Sequence, residues 1–125
     1  MVFYKCIKCG KVVEEIINQN TRMTCCGQGL LELKANEVDA SEEKHIPVLT
    51  INNNVVAVTI GSDLHPMEDN HYIVFICLET NEGIYNRILK PGDTPFAEFT
   101  LKVNESIINT YAYCNIHGLW KREGK

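Results

Sequence analysis

The chain has 125 residues, of which 45% are hydrophobic and 22% are charged, and its formal net charge is −4. This composition is typical of a globular protein, and the acidic balance argues against a nucleic-acid partner. No apolar run approaches the roughly 20 residues that cross a bilayer, which excludes a membrane protein. The first residues lack the apolar core of a signal peptide, so we expect a cytoplasmic protein.

Residues 1–35 read as a small piece of the chain that is built around a metal. Two short stretches, residues 2–4 and 12–16, have strand character, and Gly10 and Gly27 mark turns. The apolar residues are too few for a core, and fragments of this size need a staple. The formal charge of this piece is +2 and that of residues 36–125 is −6. Metal-bound thiolates would cancel the positive charge, so we infer no polyanion partner.

Four cysteines supply the staple. Cys6 and Cys9 form a CxxCG knuckle, and Cys25 and Cys26 form a second pair followed by glycine. In a reducing compartment this spacing favours one tetrathiolate metal site over disulfides. Such a site has no open position, so two roles remain for it: a structural staple, or an electron relay.

A polar linker, residues 36–43, leads into the second piece, and we place the domain boundary near residue 36. Beyond it, runs rich in Val, Ile, Thr, Tyr and Phe predict strands, separated by Asn, Asp, Gly and Pro turns. Alternating apolar and polar residues over 97–103 indicate a half-buried strand. We therefore predict a β-sandwich without a helix longer than about one turn. The predicted strands are residues 46–51, 55–60, 71–79, 84–89, 96–103 and 107–113.

All four histidines and one cysteine lie at predicted strand ends or in loops, where a rigid sandwich can present ligands. They are His45, His65, His71, His117 and Cys114. Five donors are too many for tetrahedral zinc, but they suit a five-coordinate iron with one open position. An open position indicates catalysis. The thiolate would push electron density toward a bound oxygen species, as in haem-thiolate enzymes.

Other interpretations of these residues stay open. Taken singly, each histidine has a structural explanation, and a zinc-stabilised binding module is possible. A cupredoxin-like copper protein would also be a β-sandwich with cysteine and histidine on one loop. It needs an axial ligand, for which Met67 is the available residue, and it leaves two histidines unexplained. We expect Met67 to serve in packing and Cys77 to be a small buried apolar residue.

Five separated motifs resemble the desulfoferrodoxin family, the two-iron superoxide reductases, over nearly the whole chain. They are CxxCG with CCG in residues 6–27, EKHIP at 43–47, HPM at 65–67, His71, and CNIHGLW at 114–120. The resemblance implies an all-β protein. Residues 1–35 would be a desulforedoxin-like tetracysteine iron domain, and residues 36–125 an immunoglobulin-like β-sandwich with the catalytic iron.

The resemblance also implies the roles of the site residues. The first iron would be bound by Cys6, Cys9, Cys25 and Cys26. The second would take its four equatorial ligands from His45, His65, His71 and His117, and its axial ligand from Cys114. Glu43 and Lys44 would border the open position, as a sixth ligand of the oxidised state and as the group that attracts superoxide.

The implied activity is one-electron reduction of superoxide to hydrogen peroxide, with electrons from a rubredoxin-like donor, in a homodimer. The alternative is a non-catalytic electron carrier with two iron sites. A carrier works best with closed coordination, so five ligands that leave one position open favour the enzyme.

Overall fold

A computed structural model describes all 125 residues, and these form two compact units, Met1–Lys34 and Ala35–Lys125. The sequence prediction placed the boundary between residues 35 and 36. The only helix is a single turn, and no helix of the chain has the length and apolar character needed to span a membrane.

The first unit consists of five short strands and has almost no apolar core. A three-stranded antiparallel sheet has the order β2-β1-β5, and β3 and β4 form a small hairpin. Phe3 and Cys6 are the buried apolar residues of this unit, which explains why it needs a metal staple. The strands are β1 Val2–Lys5, β2 Val12–Glu15, β3 Thr24–Cys25, β4 Gln28–Gly29 and β5 Leu31–Leu33.

The second unit is a β-sandwich of two antiparallel sheets. One sheet has the order β10-β7-β6 and the other β12-β11-β8-β9. This arrangement confirms the predicted all-β, immunoglobulin-like fold class. Its elements are α1 Glu42–His45, β6 Pro47–Asn52, β7 Val55–Ile60, β8 Ile73–Thr80, β9 Ile84–Ile88, β10 Phe96–Thr100, β11 Ile107–Cys114 and β12 Gly118–Glu123.

The core of the sandwich lies between the facing sides of the two sheets. Alternate residues of β7 point inward, so Val56, Val58 and Ile60 are buried while their neighbours are partly exposed. They join buried residues of β8 and β11 in one apolar cluster. Cys77 is fully buried in β8, and Met67 packs against the cluster, as predicted for both. This core gives the loops at the strand ends a rigid base.

The sequence prediction missed two elements that border the site. Residues 42–45 join the end of the predicted linker, at residue 43, to the strand predicted from residue 46, and they form the helical turn α1. The bond from Ile46 N–H to the Glu42 carbonyl closes this turn. Glu42 and Glu43 at its start and Lys44 near its end suit the helix dipole. Strand β12 was not among the predicted strands, but Gly118 turns the chain at φ +79° and β12 then pairs with β11.

One predicted strand is too long. Residues 96–103 were predicted as a single strand, but β10 ends at Thr100. There the Leu101 N–H leaves the ladder and donates to the Asn54 carbonyl.

Candidate metal centres

The four sulfurs of the first unit are spaced for a tetrahedral ion. The Sγ atoms of Cys9 and Cys25 are 3.7 Å apart, and those of Cys25 and Cys26 are 3.8 Å apart. A disulfide would require about 2.05 Å. A tetrahedron with metal–sulfur bonds of about 2.3 Å has edges of about 3.8 Å, which matches the observed spacing. Cys6 completes this cluster.

Backbone conformation creates this spacing. The Gly10 N–H donates to the Cys6 carbonyl at 2.9 Å and Gly10 adopts φ +81°, which closes the first knuckle. In the second pair Cys26 itself takes φ +54° and Gly27 φ +75°. Two successive left-handed residues turn adjacent thiols toward one point, a conformation that costs little at glycine but more at cysteine.

The electrostatics of the sulfur cluster also favour a cation. The backbone N–H of Cys9 lowers the pKa of Cys6 to about 6, so one thiolate forms readily. Hydrogen bonds among the neighbouring sulfurs then raise the pKa of Cys25 to about 12. Four thiols this close do not ionise together unless a metal ion balances their charge.

The four histidines of the second unit form a closed ring at one end of the sandwich. The ring centroids of neighbouring histidines are 4.7–5.1 Å apart. The distances are 4.7 Å for His45–His65, 4.7 Å for His65–His71, 5.1 Å for His71–His117 and 5.0 Å for His117–His45. Each neighbouring pair meets edge to face. Together with Cys114, their ligand atoms all lie within 4.8 Å of one another. The structure therefore brings together all five predicted donors.

Backbone hydrogen bonds orient two of the four imidazoles, those of His45 and His65. Nδ1 of His45 donates to the Ser41 carbonyl at 2.6 Å, and Nδ1 of His65 donates to the Pro66 carbonyl at 2.7 Å. These bonds leave the lone pair on Nε2. The Nε2 atoms of His45, His65 and His71 are buried and have no hydrogen-bond partner in the protein. Buried ring nitrogens in this state are what a metal would satisfy.

Burial keeps three of the four histidine rings in the neutral form, which is the form that binds metals. It lowers the pKa of His65 to about 4 and lowers the pKa of His45 and His71 as well, so the rings are neutral. Burial also raises the pKa of the Cys114 thiol, against the opposing effect of the His117 N–H, which donates to Sγ at 3.3 Å. A bound cation would displace the thiol proton.

The ring has a buried side and an open side. Cys114 is completely inaccessible to solvent, whereas all four histidines line a cavity of about 460 Å³. The other lining residues are Asp39, Ala40, Ser41, Lys44, Leu64 and Pro66. The four histidines and Cys114 would hold a metal here, and a small ligand could reach it from the cavity.

The two predicted catalytic residues lie on the helical turn α1. Lys44 lines the cavity, and its Nζ donates to Oδ2 of Asp63 at 2.9 Å. Glu43 is exposed and does not line the cavity. Its own backbone N–H lowers the pKa of its carboxyl group, so Glu43 is ionised at neutral pH.

Sequence reasoning did not identify two residues that hold the ligand loops. The Asn115 side chain accepts from Tyr72 N–H at 2.9 Å and donates to the Asn70 carbonyl at 3.1 Å, so it is bonded on both sides of His71. Trp120 stacks on His45 with centroids 4.7 Å apart and donates to the His117 carbonyl at 3.1 Å. Asn115 lies inside the Cys114–His117 motif, which was the only sequence signal for it.

The donor set fits iron better than the alternatives. A structural zinc site closes with four ligands, and five donors converge here. The proposed axial ligand of a copper site, Met67, packs against the core, and its sulfur accepts the Ile73 N–H at 3.3 Å. Four imidazoles and one thiolate with a vacant side are suited to a redox iron that binds a small ligand.

The fold and its two clusters define a β-sandwich metalloprotein that has a closed tetrathiolate site and an open site of four histidines and one cysteine. A sequence model of the desulfoferrodoxin family matches residues 37–123. The chain belongs to the desulfoferrodoxin family, as its motifs indicated.

Individual relatives cover nearly the whole chain. Desulfoferrodoxin from Nitratidesulfovibrio vulgaris is 42% identical over 120 residues, which are 96% of this chain and 94% of that protein. A desulfoferrodoxin homolog from Archaeoglobus fulgidus is 41% identical over 121 residues, 97% of this chain and 95% of that protein. The crystal structure of the superoxide reductase from Treponema pallidum superposes with a TM-score of 0.81 at 30% identity, covering 97% of this chain and 98% of that one.

Proposed function

We propose that this protein is a superoxide reductase. It would hold two irons per chain, one on Cys6, Cys9, Cys25 and Cys26, and one on the four histidines and Cys114. The second iron would react with superoxide. An external reductant such as a rubredoxin-like protein would restore its ferrous state. The superoxide reductase structure that covers nearly the whole chain supports this proposal.

The observation that carries the proposal is the two-sided ring of histidines. Its thiol is buried beneath the ring and its other side opens into a cavity. A protein that only relays electrons gains nothing from an open ligand position, because closed coordination is sufficient for electron transfer. A cavity beside the ring provides space for a small substrate.

When bound, ferrous iron supplies the one electron that, with two protons, converts superoxide to hydrogen peroxide. The chain contributes the rest. The imidazoles of His45 and His65 are held by backbone carbonyls, so these two rings are already oriented to bind the metal. Lys44 places a positive charge on the cavity wall of a unit that is otherwise acidic, which gives an anion a local target. Its ammonium group also offers donors to hold a substrate oxygen or a water.

Glu43 is part of the proposal as the group that would close the open position in the oxidised protein. Glu43 directly precedes Lys44 and His45 in the same helical turn. In the conformation described, Glu43 does not line the cavity, so this role requires its side chain or α1 to move. The ionised state of Glu43 suits it to bind a ferric ion.

The tetrathiolate centre would serve as an accessory that stores or relays electrons. Two of its cysteines, Cys9 and Cys26, are exposed, so a protein donor can approach its sulfurs closely. The proposed setting is a homodimer in the cytoplasm.

Replacing Lys44 tests the proposed electrostatic role. We expect Lys44→Ala to slow the reaction with superoxide about three- to tenfold at low salt, to weaken its salt dependence, and to leave the iron content intact. Lys90→Ala is the matched control, because it removes the same charge from an exposed position outside the cavity. An unchanged rate and salt profile in Lys44→Ala would rule out the steering role.

A further inference from the structure

An acidic side chain restrains the one lysine that lines the cavity. Nζ of Lys44 donates to Oδ2 of Asp63 at 2.9 Å. Lys44 borders the cavity and Asp63 does not, so the carboxylate draws the ammonium group toward the rim. Side chains of both residues are well exposed, at 43% and 66%, so the pair can open without burying a charge.

The backbone fixes Asp63 in this position. The Asp63 N–H donates to the Glu43 carbonyl at 2.9 Å, and the Gly61 N–H donates to the Ile46 carbonyl at 3.2 Å. The Ser62 hydroxyl adds a bond to the same Glu43 carbonyl at 3.3 Å. The loop of residues 61–63 is therefore fastened to both ends of α1.

Gly61 permits this close approach. It adopts φ +86°, and a Cβ atom there would clash with the Asp63 carbonyl oxygen and lie 2.8 Å from both the Glu43 carbonyl oxygen and the Lys44 Cα. Any side chain would push the loop away from α1 and separate Asp63 from Lys44. The ion pair is thus built into the backbone around it and does not depend on two flexible side chains alone.

The pair changes the charge that an approaching anion meets. A free Lys44 would present a full positive charge at the cavity, whereas the carboxylate of Asp63 at 2.9 Å offsets part of that charge. The ammonium group has three donors, so it can exchange one carboxylate oxygen for an oxygen of another anion.

We propose that Asp63 is a positioning residue that restrains Lys44 and limits the rate at which anions enter the cavity. This inference rests on the proposed function, in which Lys44 attracts superoxide. The carboxylate competes with the substrate for the same ammonium group, so removing its charge should speed anion association.

The test compares Asp63→Asn with Glu98→Gln in the full-length, iron-loaded protein. Glu98→Gln makes the same change in net charge on the exposed face of β10, outside the cavity. We expect Asp63→Asn to raise the association rate of superoxide about two- to fivefold at low ionic strength, with a steeper decrease as salt is added. Glu98→Gln should change the rate by much less. A rate in Asp63→Asn that is unchanged, lowered, or equal to that of Glu98→Gln would overturn the proposal.

A second measurement separates this proposal from the proposed function. The rate at which an amine-reactive reagent acetylates Lys44, followed by mass spectrometry with the other lysines as internal references, reports the restraint without superoxide. We expect faster acetylation of Lys44 in Asp63→Asn, and an unchanged rate would contradict the restraint. If the wild type fails to react with superoxide, the proposed function fails, while the acetylation rate of Lys44 still decides whether Asp63 restrains it.

Discussion

The two clusters of this protein are built in opposite ways. The tetracysteine cluster gathers its four ligands from residues 6–26, in a unit whose buried apolar residues are Phe3 and Cys6. The histidine cluster gathers five ligands from residues 45–117, across the end of a sandwich with a full apolar core. The first unit should therefore depend on its metal to fold, whereas the second should fold first and present a site that is already arranged.

The tetracysteine cluster is suited to a structural role, whereas the histidine cluster is suited to a reactive one. A cluster that holds its own unit together must be saturated, and four sulfurs at tetrahedral spacing saturate an ion. A cluster supported by an independent core can leave one side open, as the cavity beside the histidine ring shows. Catalysis is thus expected where the fold does not depend on the metal.

Removing the first metal should have the largest effect. We expect Cys9→Ser to lose the tetrathiolate metal and the amide-exchange protection of residues 2–33, while the sandwich keeps its protection and the second iron still reacts with superoxide. The reason is that the first unit has too few buried apolar groups to stay folded alone. Hydrogen exchange with mass spectrometry, together with metal analysis, measures both parts.

The control for this substitution is Cys77→Ala, which changes a buried cysteine outside both clusters. It should retain both metals. Protection that persists in the first unit of metal-free Cys9→Ser would break the contrast between the units, and a complete loss of superoxide reduction would refute the division of labour.

A smaller effect is expected at Asn115, whose side chain joins the loop of His117 to the loop of His71. Asn115→Ala removes the two side-chain hydrogen bonds to Asn70 and Tyr72, which flank His71. Loss of such supporting bonds typically weakens metal binding about 10- to 100-fold. We expect faster loss of the second iron to a chelator and a shift of its thiolate charge-transfer band, with the first centre unchanged.

Asn109→Ala provides the comparison for Asn115→Ala, because it deletes an amide on β11 that donates to Glu79 on β8 and lies outside both clusters. Equal iron loss in the two variants would show that Asn115 has only a general effect on stability.

The smallest effect concerns the sandwich alone. Glu105 accepts hydrogen bonds from the hydroxyls of Thr80 and Tyr85 and from the Lys102 N–H. The Thr80 bond, followed by that of Lys102, lowers the pKa of Glu105 in the folded state. Its contribution to stability is therefore present above the unfolded pKa of about 4.5 and lost as the pH falls through the lower folded value.

We expect Glu105→Gln to lower the unfolding temperature of the sandwich by a few degrees at pH 7, and the difference from the wild type to vanish at strongly acidic pH. Thermal unfolding across this pH range measures it. Neither metal centre should change, because Glu105 belongs to neither cluster. A constant difference at every pH would show that the effect does not come from the charge of Glu105.

Features that depend on residues close together in the chain could be predicted from the sequence. The CxxCG knuckle and the adjacent cysteines identify one cluster from their spacing, and β-branched runs identify strands such as β7 and β8 within a few residues. The histidines were recognised because they lie at strand ends and loops, beside turn residues.

The missed features depend on contacts between distant segments. The turn α1 has too few residues for a periodic pattern, and β12 begins at Gly118, directly after the loop of Cys114 and His117, without a turn signal of its own before it. Asp63 is an ordinary turn residue in the sequence. It gains a role only because Gly61 brings its loop against α1, where it meets Lys44.

The most direct test of the central claim is the product yield when the reduced, iron-loaded protein reacts with a known amount of superoxide. A reductase supplies the electron itself, so we predict one hydrogen peroxide per superoxide consumed and no release of dioxygen. Half as much peroxide with an equal amount of dioxygen would indicate dismutation. That result, or consumption no faster than in buffer, would contradict the assignment of the open histidine–cysteine site as a superoxide-reducing centre.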